Sequence, residues 1–85
     1  MTQTALDFTR PKPDALFKRG SQNCRVYERL LAGPVDNGEL PRKMFINKYT
    51  SRISDIRKAL RPYLMDVRAD ADPIDRSRVV YRLVG

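Results

Sequence analysis

The amino-acid sequence predicts one small α+β domain, in which helices come first and a β-hairpin closes the chain. Three observations support this prediction. The length of 85 residues leaves room for a single domain. Apolar residues recur at helical spacing in segments between residues 22 and 61. After residue 63, apolar and polar residues alternate in two segments, which is typical of half-buried strands.

Residues 1–20 are predicted to form a basic and partly flexible N-terminal arm, and residues 21–85 the folded domain. The stretch RPKPD in the arm holds two prolines and has neither helical nor strand periodicity. Parts of the arm are still expected to be fixed to the core by its apolar side chains, which are Leu6, Phe8, Leu16 and Phe17.

The first helix is predicted over residues 22–32. Ser21 is a favourable N-cap, Gly33 suits the C-terminal cap, and Pro34 prevents the helix from continuing. Its apolar residues, at helical spacing, are Cys24, Val26, Tyr27, Leu30 and Leu31. Cys24, the single cysteine, is therefore expected to be a buried structural thiol.

A short second helix is predicted from the stretch DNGE, in which Asp36 and Glu39 have the spacing of a capping box. The helix would contain Leu40, Met44 and Phe45. Pro41 is compatible with this prediction only if it lies in the first turn.

The third helix is predicted over residues 47–61, with Asn47 or Thr50 as its N-cap and Pro62 ending it. One apolar stripe runs along it, formed by Tyr49, Ile53, Ile56 and Leu60. The opposite side is polar and largely basic.

Two strands are predicted at residues 64–68 and 78–84, and Val79, Tyr81 and Leu83 share one face of the second strand. The segment between them, residues 69–77, is acidic and too long for a tight turn. It is expected to project from the domain and to be mobile.

Three helices followed by a hairpin is the order of the winged helix-turn-helix fold, in which the third helix enters the major groove and the hairpin is the wing. The stretches GSQNCRVYERLLAGPVDNGEL and YTSRISDIRKAL also resemble small helix-turn-helix proteins of phages and prophages. The resemblance spans residues 19–84, and its matched stretches are residues 20–23 and 51–57. It implies a winged-helix transcriptional regulator that binds DNA.

The charge of the chain favours a polyanionic partner. The formal net charge is +7, and residues 21–62 carry nine Lys and Arg against four Asp and Glu. With no histidine and one cysteine, zinc fingers, Cys-His nucleophiles and Ser-His-Asp triads are excluded. We therefore expect no enzymatic activity, cofactor, metal or small-molecule substrate. The absence of long apolar runs predicts a soluble, cytoplasmic protein without membrane contact, associated with the nucleoid if it binds DNA.

The third helix carries most of the candidate nucleic-acid contacts. Its cations are candidates for phosphate contacts, and Asn47, Ser51 and Ser54 for contacts with base edges. Arg52 is the best candidate for guanine readout, while Asp55 is expected to pair with Arg52 or Lys58. Arg42 and Lys43 are placed at the start of the second helix. The full predicted set is Arg42, Lys43, Asn47, Lys48, Ser51, Arg52, Ser54, Lys58 and Arg61.

Two alternatives remain open at this stage. Taken alone, a basic helix face is also what an ordinary solvated surface looks like. A winged helix can in addition serve as a protein-interaction module, for example one that inhibits a host nucleic-acid-handling complex in the manner of an anti-CRISPR protein. The candidate contacts for such a basic partner are Asp70, Asp72 and Asp75. A homodimer is a further option.

Overall fold

The computed structural model of the protein describes residues 10–85. This part of the chain contains four α-helices, namely α1 (Pro13–Leu16), α2 (Gln22–Leu31), α3 (Glu39–Arg42) and α4 (Tyr49–Leu60). It also contains the strands β1 (Val35–Asp36), β2 (Asp66–Ala71) and β3 (Val79–Val84), and a 3-10 turn over Arg61–Tyr63. The strands form one antiparallel sheet in the order β1-β3-β2. The predicted α+β class is confirmed.

Helix α2 agrees with the sequence prediction to within one residue. The Ser21 side chain caps it by accepting a 3.2 Å hydrogen bond from the backbone N–H of Cys24. Gly33 follows the helix with a φ of +141°, a conformation that side chains other than glycine rarely adopt. Cys24 is buried as expected, and burial raises the pKa of its thiol, with a further contribution from the hydrogen bond to Glu28.

The predicted capping box before α3 is wrong. Asp36 lies in β1, and its carboxylate accepts a 2.6 Å hydrogen bond from the N–H of Gly38. Glu39 accepts instead from Arg29 of α2, at 2.5 Å. Helix α3 begins at Glu39, so Pro41 does lie in the first turn, but the helix ends at Arg42, before Met44 and Phe45.

Strand β1 is not predicted by the sequence pattern. Val35 pairs with Tyr81 and Asp36 with Val80 of β3. The segment is too short for any alternation of apolar and polar residues to show. It becomes a strand because β3 offers a free edge to it.

Helix α4 carries the predicted apolar stripe. Ile53, Ile56 and Leu60 are buried, and Tyr49 packs edge-to-face on Tyr81 with ring centroids 6.4 Å apart. Neither Asn47 nor Thr50 is its N-cap, because residue 48 takes that position through its backbone alone. The helix ends at Leu60, since Pro62 forms part of the 3-10 turn that follows.

The hairpin is shifted relative to its prediction. Strand β2 begins at Asp66, because Leu64 adopts a left-handed conformation with φ +58° at the end of the 3-10 turn. It continues to Ala71, so the connecting loop is residues 72–78. Tyr81 is buried against the helices and Val79 and Leu83 pack around it, as predicted for that face.

The described part of the N-terminal arm packs against the domain. Leu16 and Phe17 contact the core as expected, and the Tyr27 hydroxyl donates a 2.8 Å hydrogen bond to the Pro11 carbonyl. The single helical turn α1 was not predicted; a proline at its first position is compatible with it. The expected contacts of Leu6 and Phe8 lie outside the described residues.

Candidate nucleic-acid interface

The solvent face of α4 presents three polar residues in one line. Ser51, Ser54 and Lys58 follow each other at spacings of three and four, so they share one side of the helix. All three are exposed. This line lies opposite the buried stripe of the helix, so nothing in the packing of α4 requires these side chains.

Both flanks of α4 are fastened to neighbouring elements. On one flank Arg57 donates a 2.8 Å hydrogen bond to Asp66 of β2, which lowers the pKa of that carboxyl. On the other, Asp55 accepts from the Asn23 side chain of α2 at 3.3 Å. Within residues 10–85, that contact replaces the ion pair predicted between Asp55 and Arg52 or Lys58. These two contacts hold the helix in an orientation that leaves its polar line facing outward.

Arg52 is placed differently from the other predicted cations. It is half-buried on the α2 side of α4, one helical turn before Asp55. Its Nε is buried and has no hydrogen-bond partner among the described residues. An arginine held in this way has less freedom to reach a base than the exposed Lys58.

The turn before α4 is held in an unusual backbone conformation. Phe45 and Lys48 have φ values of +56° and +52°, in the left-handed region that bulky residues rarely adopt. Ile46, between them, is buried, and its N–H donates to the Leu40 carbonyl at 3.0 Å. Burial of this one residue turns its neighbours outward.

The remaining predicted residues lie around the ends of the helices. Asn47 and Lys48 are exposed at the N-terminus of α4, and Arg61 is exposed just beyond its C-terminus. Arg42 and Lys43 are exposed at the end of α3 rather than at its start, which corrects the sequence prediction. Cations are favoured at a helix C-terminus by the direction of the helix dipole.

The cations of the molecule fall into two groups. Ion pairs within residues 10–85 involve Arg29, Arg57, Arg68, Arg78 and Arg82. We call Arg68, Arg78 and Arg82 the hairpin arginines, and Lys48, Lys58 and Arg61 the α4 cations. None of the predicted site cations, the α4 cations included, forms an ion pair with a described residue.

The three aspartates proposed as contacts for a basic protein are engaged within the hairpin. Asp70 pairs with Arg68 at 2.9 Å and with Arg82 at 3.2 Å. Asp72 accepts from the N–H groups of Ile74 and Asp75, which lowers the pKa of its carboxyl. Asp75 accepts from the N–H and the hydroxyl of Ser77. These carboxylates stabilise the loop rather than projecting freely from it.

The loop is also fastened to the turn after β1. The Asn37 side chain donates a 2.9 Å hydrogen bond to the Ser77 carbonyl and accepts one of 3.2 Å from the N–H of Val79. Arg78 donates to Asp36 at 2.6 Å. The pKa of Asp36 is lowered, first by the Gly38 N–H and then by Arg78.

Two exposed apolar residues were missed as functional candidates. Phe45 is 75% exposed and Ile74, at the tip of the hairpin loop, is 95% exposed. The sequence pattern predicts Phe45 inside the second helix. Its ring is exposed because α3 ends before Phe45 and the turn that follows has a left-handed backbone.

In comparisons with family models, with curated proteins and with solved structures, the chain has no significant match. Residues 10–85 contain no group of three or more Cys, Asp or Glu side chains placed to hold a metal ion. No helix in that range has the length and apolar character needed to cross a membrane. The function therefore has to be inferred from the residues themselves.

Proposed function

We propose that this chain binds double-stranded DNA through the solvent face of α4 and the turn before it. In this proposal the protein is a winged-helix transcriptional regulator of the phage or prophage kind. Helices α3 and α4 act as the helix-turn-helix, and β2 and β3 act as the wing. The order of elements and the packing of α4 between α2 and β2 are compatible with that arrangement.

The observation that carries the proposal is the distribution of ion pairs. The hairpin arginines have carboxylate partners, whereas Arg76 in the hairpin loop, the α4 cations, Arg42 and Lys43 have none within residues 10–85. Unpaired exposed cations repel one another and gain most from a polyanion. Each phosphate that they neutralise releases counterions, which is the main source of affinity in non-specific DNA binding.

The geometry of α4 supports the same proposal. Its 12 residues make a helix about 18 Å long, and the major groove is about 12 Å wide. The short side chains of Ser51 and Ser54 allow the helix axis to approach the base edges. Lys48 and Arg61 stand near its two ends, where the phosphate backbones border the groove.

The test is a fluorescence-anisotropy titration of random duplex DNA at low and at physiological salt. The variant Lys48→Ala, Lys58→Ala, Arg61→Ala removes the α4 cations. The matched control replaces the three hairpin arginines by alanine and loses the same net charge. We expect the first variant to bind more weakly and its salt dependence to flatten by about 0.9 for each phosphate that is no longer neutralised. We expect the control to keep most of its affinity.

Two results would overturn the proposal. One is wild-type protein that shows no salt-sensitive binding to duplex DNA. The other is an equal loss of affinity in the two triple variants, because that would show a response to net charge alone rather than to the face of α4. Circular dichroism of each variant confirms that the comparison is made between folded proteins.

The protein-interaction alternative is favoured by one observation, which is the exposed Ile74. The aspartates of the loop already have hydrogen-bond or ion-pair partners. An apolar contact with Ile74 would therefore contribute more to the binding of a protein partner than the charge of the loop. If duplex DNA does not bind, Ile74→Ser becomes the first variant to compare with wild type for partner binding.

A further inference from the structure

Phe45 is an apolar side chain that the fold leaves uncovered. Between residues 22 and 60 it is the one large apolar side chain that is exposed. The other large apolar residues of this region are buried or pack against the core. An aromatic ring in water forgoes the free energy that burial would give, so this ring gains from a partner surface that covers it.

The position of Phe45 is fixed from both sides. The Met44 carbonyl accepts a 2.8 Å hydrogen bond from the Arg25 guanidinium of α2. Ile46 is buried and bonded through its N–H to the Leu40 carbonyl. The left-handed conformation of Phe45 is thus imposed by its neighbours, and strain of this kind is maintained where the surrounding structure determines it.

The surroundings of the ring are cationic. Lys43 and Lys48 are two and three residues away, so their Cα atoms lie within about 8 Å and about 11 Å of that of Phe45. Both are exposed, and neither forms an ion pair among the described residues. An apolar partner surface would have to bury these charges, whereas duplex DNA provides phosphates for them.

We propose that Phe45 contacts the 5-methyl group of thymine in the major groove and so gives the protein a preference for A·T pairs. This inference rests on the proposed DNA binding and adds a base preference to it. The thymine methyl is the apolar group on the major-groove edges of the bases, and phenylalanine is a residue that packs against it. The ring lies in the turn that leads into α4, two residues before Asn47, which is also exposed.

The experiment removes the methyl group and the ring in turn. Affinities are measured for an alternating A·T duplex of about 21 base pairs, two helical turns, and for the same duplex with deoxyuridine in place of thymidine. Wild type should bind the uracil duplex more weakly, by about fourfold for each methyl group contacted. Phe45→Ala should bind the two duplexes equally, and as weakly as wild type binds uracil DNA.

Leu64→Ala is the matched control. Leu64 is also exposed, at 89%, and also has a left-handed backbone, with φ +58°. It lies beyond the opposite end of α4, so its removal should leave the thymine preference at the wild-type value. Circular dichroism and thermal unfolding show whether each variant is folded.

Three outcomes would overturn the assignment. Wild type that binds thymine and uracil duplexes equally shows no methyl contact. Phe45→Ala that keeps the full wild-type preference shows that another residue makes the contact. A loss that is equal on both duplexes, and larger on single-stranded oligothymidine, would show base stacking instead. Failure of DNA binding itself is distinguishable, because wild type would then bind neither duplex in a salt-dependent way.

Discussion

The hairpin and helix α4 both carry several cations, but the two regions use them differently. On the hairpin, Arg68 and Arg82 share the carboxylate of Asp70, while Arg78 joins Asp36 to Asp72. On α4, only Arg57, on the flank that faces β2, has such a partner within the described residues. The outward-facing cations have solvent around them.

This difference shows that the number of basic residues does not by itself locate a binding surface. A cation that already has a carboxylate partner stabilises the region in which it lies, and a polyanion must compete with that carboxylate to bind the cation. A cation without a partner adds to the repulsion within its own face and is relieved by a bound anion. The hairpin and α4 are alike in their content of basic residues. They differ in whether those residues have carboxylate partners.

The largest effect on stability is expected when the hairpin arginines are removed together. The three arginines make four exposed ion pairs. Such pairs contribute about 0.2–1 kcal/mol each, so the triple alanine variant should lose about 1–4 kcal/mol of unfolding free energy. The corresponding variant of the α4 cations should change by less than about 0.5 kcal/mol. Urea denaturation of both measures this. Equal losses of unfolding free energy in the two variants would show that the α4 cations also stabilise the fold. The two regions would then not differ in the way described.

A smaller effect is expected for Asn37→Ala, which tests how firmly the hairpin loop is fastened. The Asn37 side chain makes hydrogen bonds to Ser77 and Val79, and each such bond contributes about 0.5–1.5 kcal/mol. Amide hydrogen exchange should become faster in residues 72–78 and remain unchanged in α4. Faster exchange throughout the molecule would show that the loop and the helix unfold together.

Glycine substitutions at the two exposed left-handed residues should have a smaller effect of opposite sign. Phe45→Gly and Leu64→Gly remove a side chain from a conformation that costs about 1–2 kcal/mol per residue, and part of this gain is offset by the greater freedom of the unfolded chain. We expect thermal stability to stay the same or rise slightly for both. Only the Phe45 variant should lose DNA affinity. A marked loss of stability in Phe45→Gly would show that the ring is packed.

The smallest effect is expected from a change of pH near neutrality. Hydrogen bonds and nearby arginines lower the pKa values of four carboxyl groups, which are Asp36, Glu39, Asp66 and Asp72. A carboxyl whose pKa is lowered by folding stabilises the protein above its ordinary pKa and loses that contribution as pH falls through the lowered value. Unfolding free energy should therefore be level near neutral pH and decline below about pH 4.5.

Arg57→Ala separates one of these contributions. It removes the main cause of the lowered pKa of Asp66, so the variant should be slightly less stable at neutral pH and lose less on acidification. The difference should stay below about 1 kcal/mol, since both side chains are about half exposed. A loss centred above pH 5 would point to a different titrating group.

The parts of the fold that the sequence predicts well are those specified by neighbouring residues. Ser21 and Gly33 border α2 because a hydroxyl cap and a left-handed glycine act within a few residues of the chain. The stripe from Tyr49 to Leu60 and the inward face of β3 follow from periodicity alone. The polar line on α4 could be predicted for the same reason.

The remaining features depend on contacts between distant parts of the chain. Asp36 looked like a helix cap, but it pairs in a strand with Val80 and binds Arg78, 42 residues away. Glu39 forms an ion pair with Arg29 of α2. Phe45 is exposed because Ile46 occupies the core in its place.

The sequence by itself therefore determined the two long helices α2 and α4, the hairpin and an excess of positive charge. Only the tertiary structure decided which cations have carboxylate partners and which aromatic ring faces solvent. The physical reason is that the periodic pattern of apolar residues fixes the face of a helix or strand on which a side chain lies. Its hydrogen-bond or ion-pair partner depends instead on which distant residue the packing brings within reach.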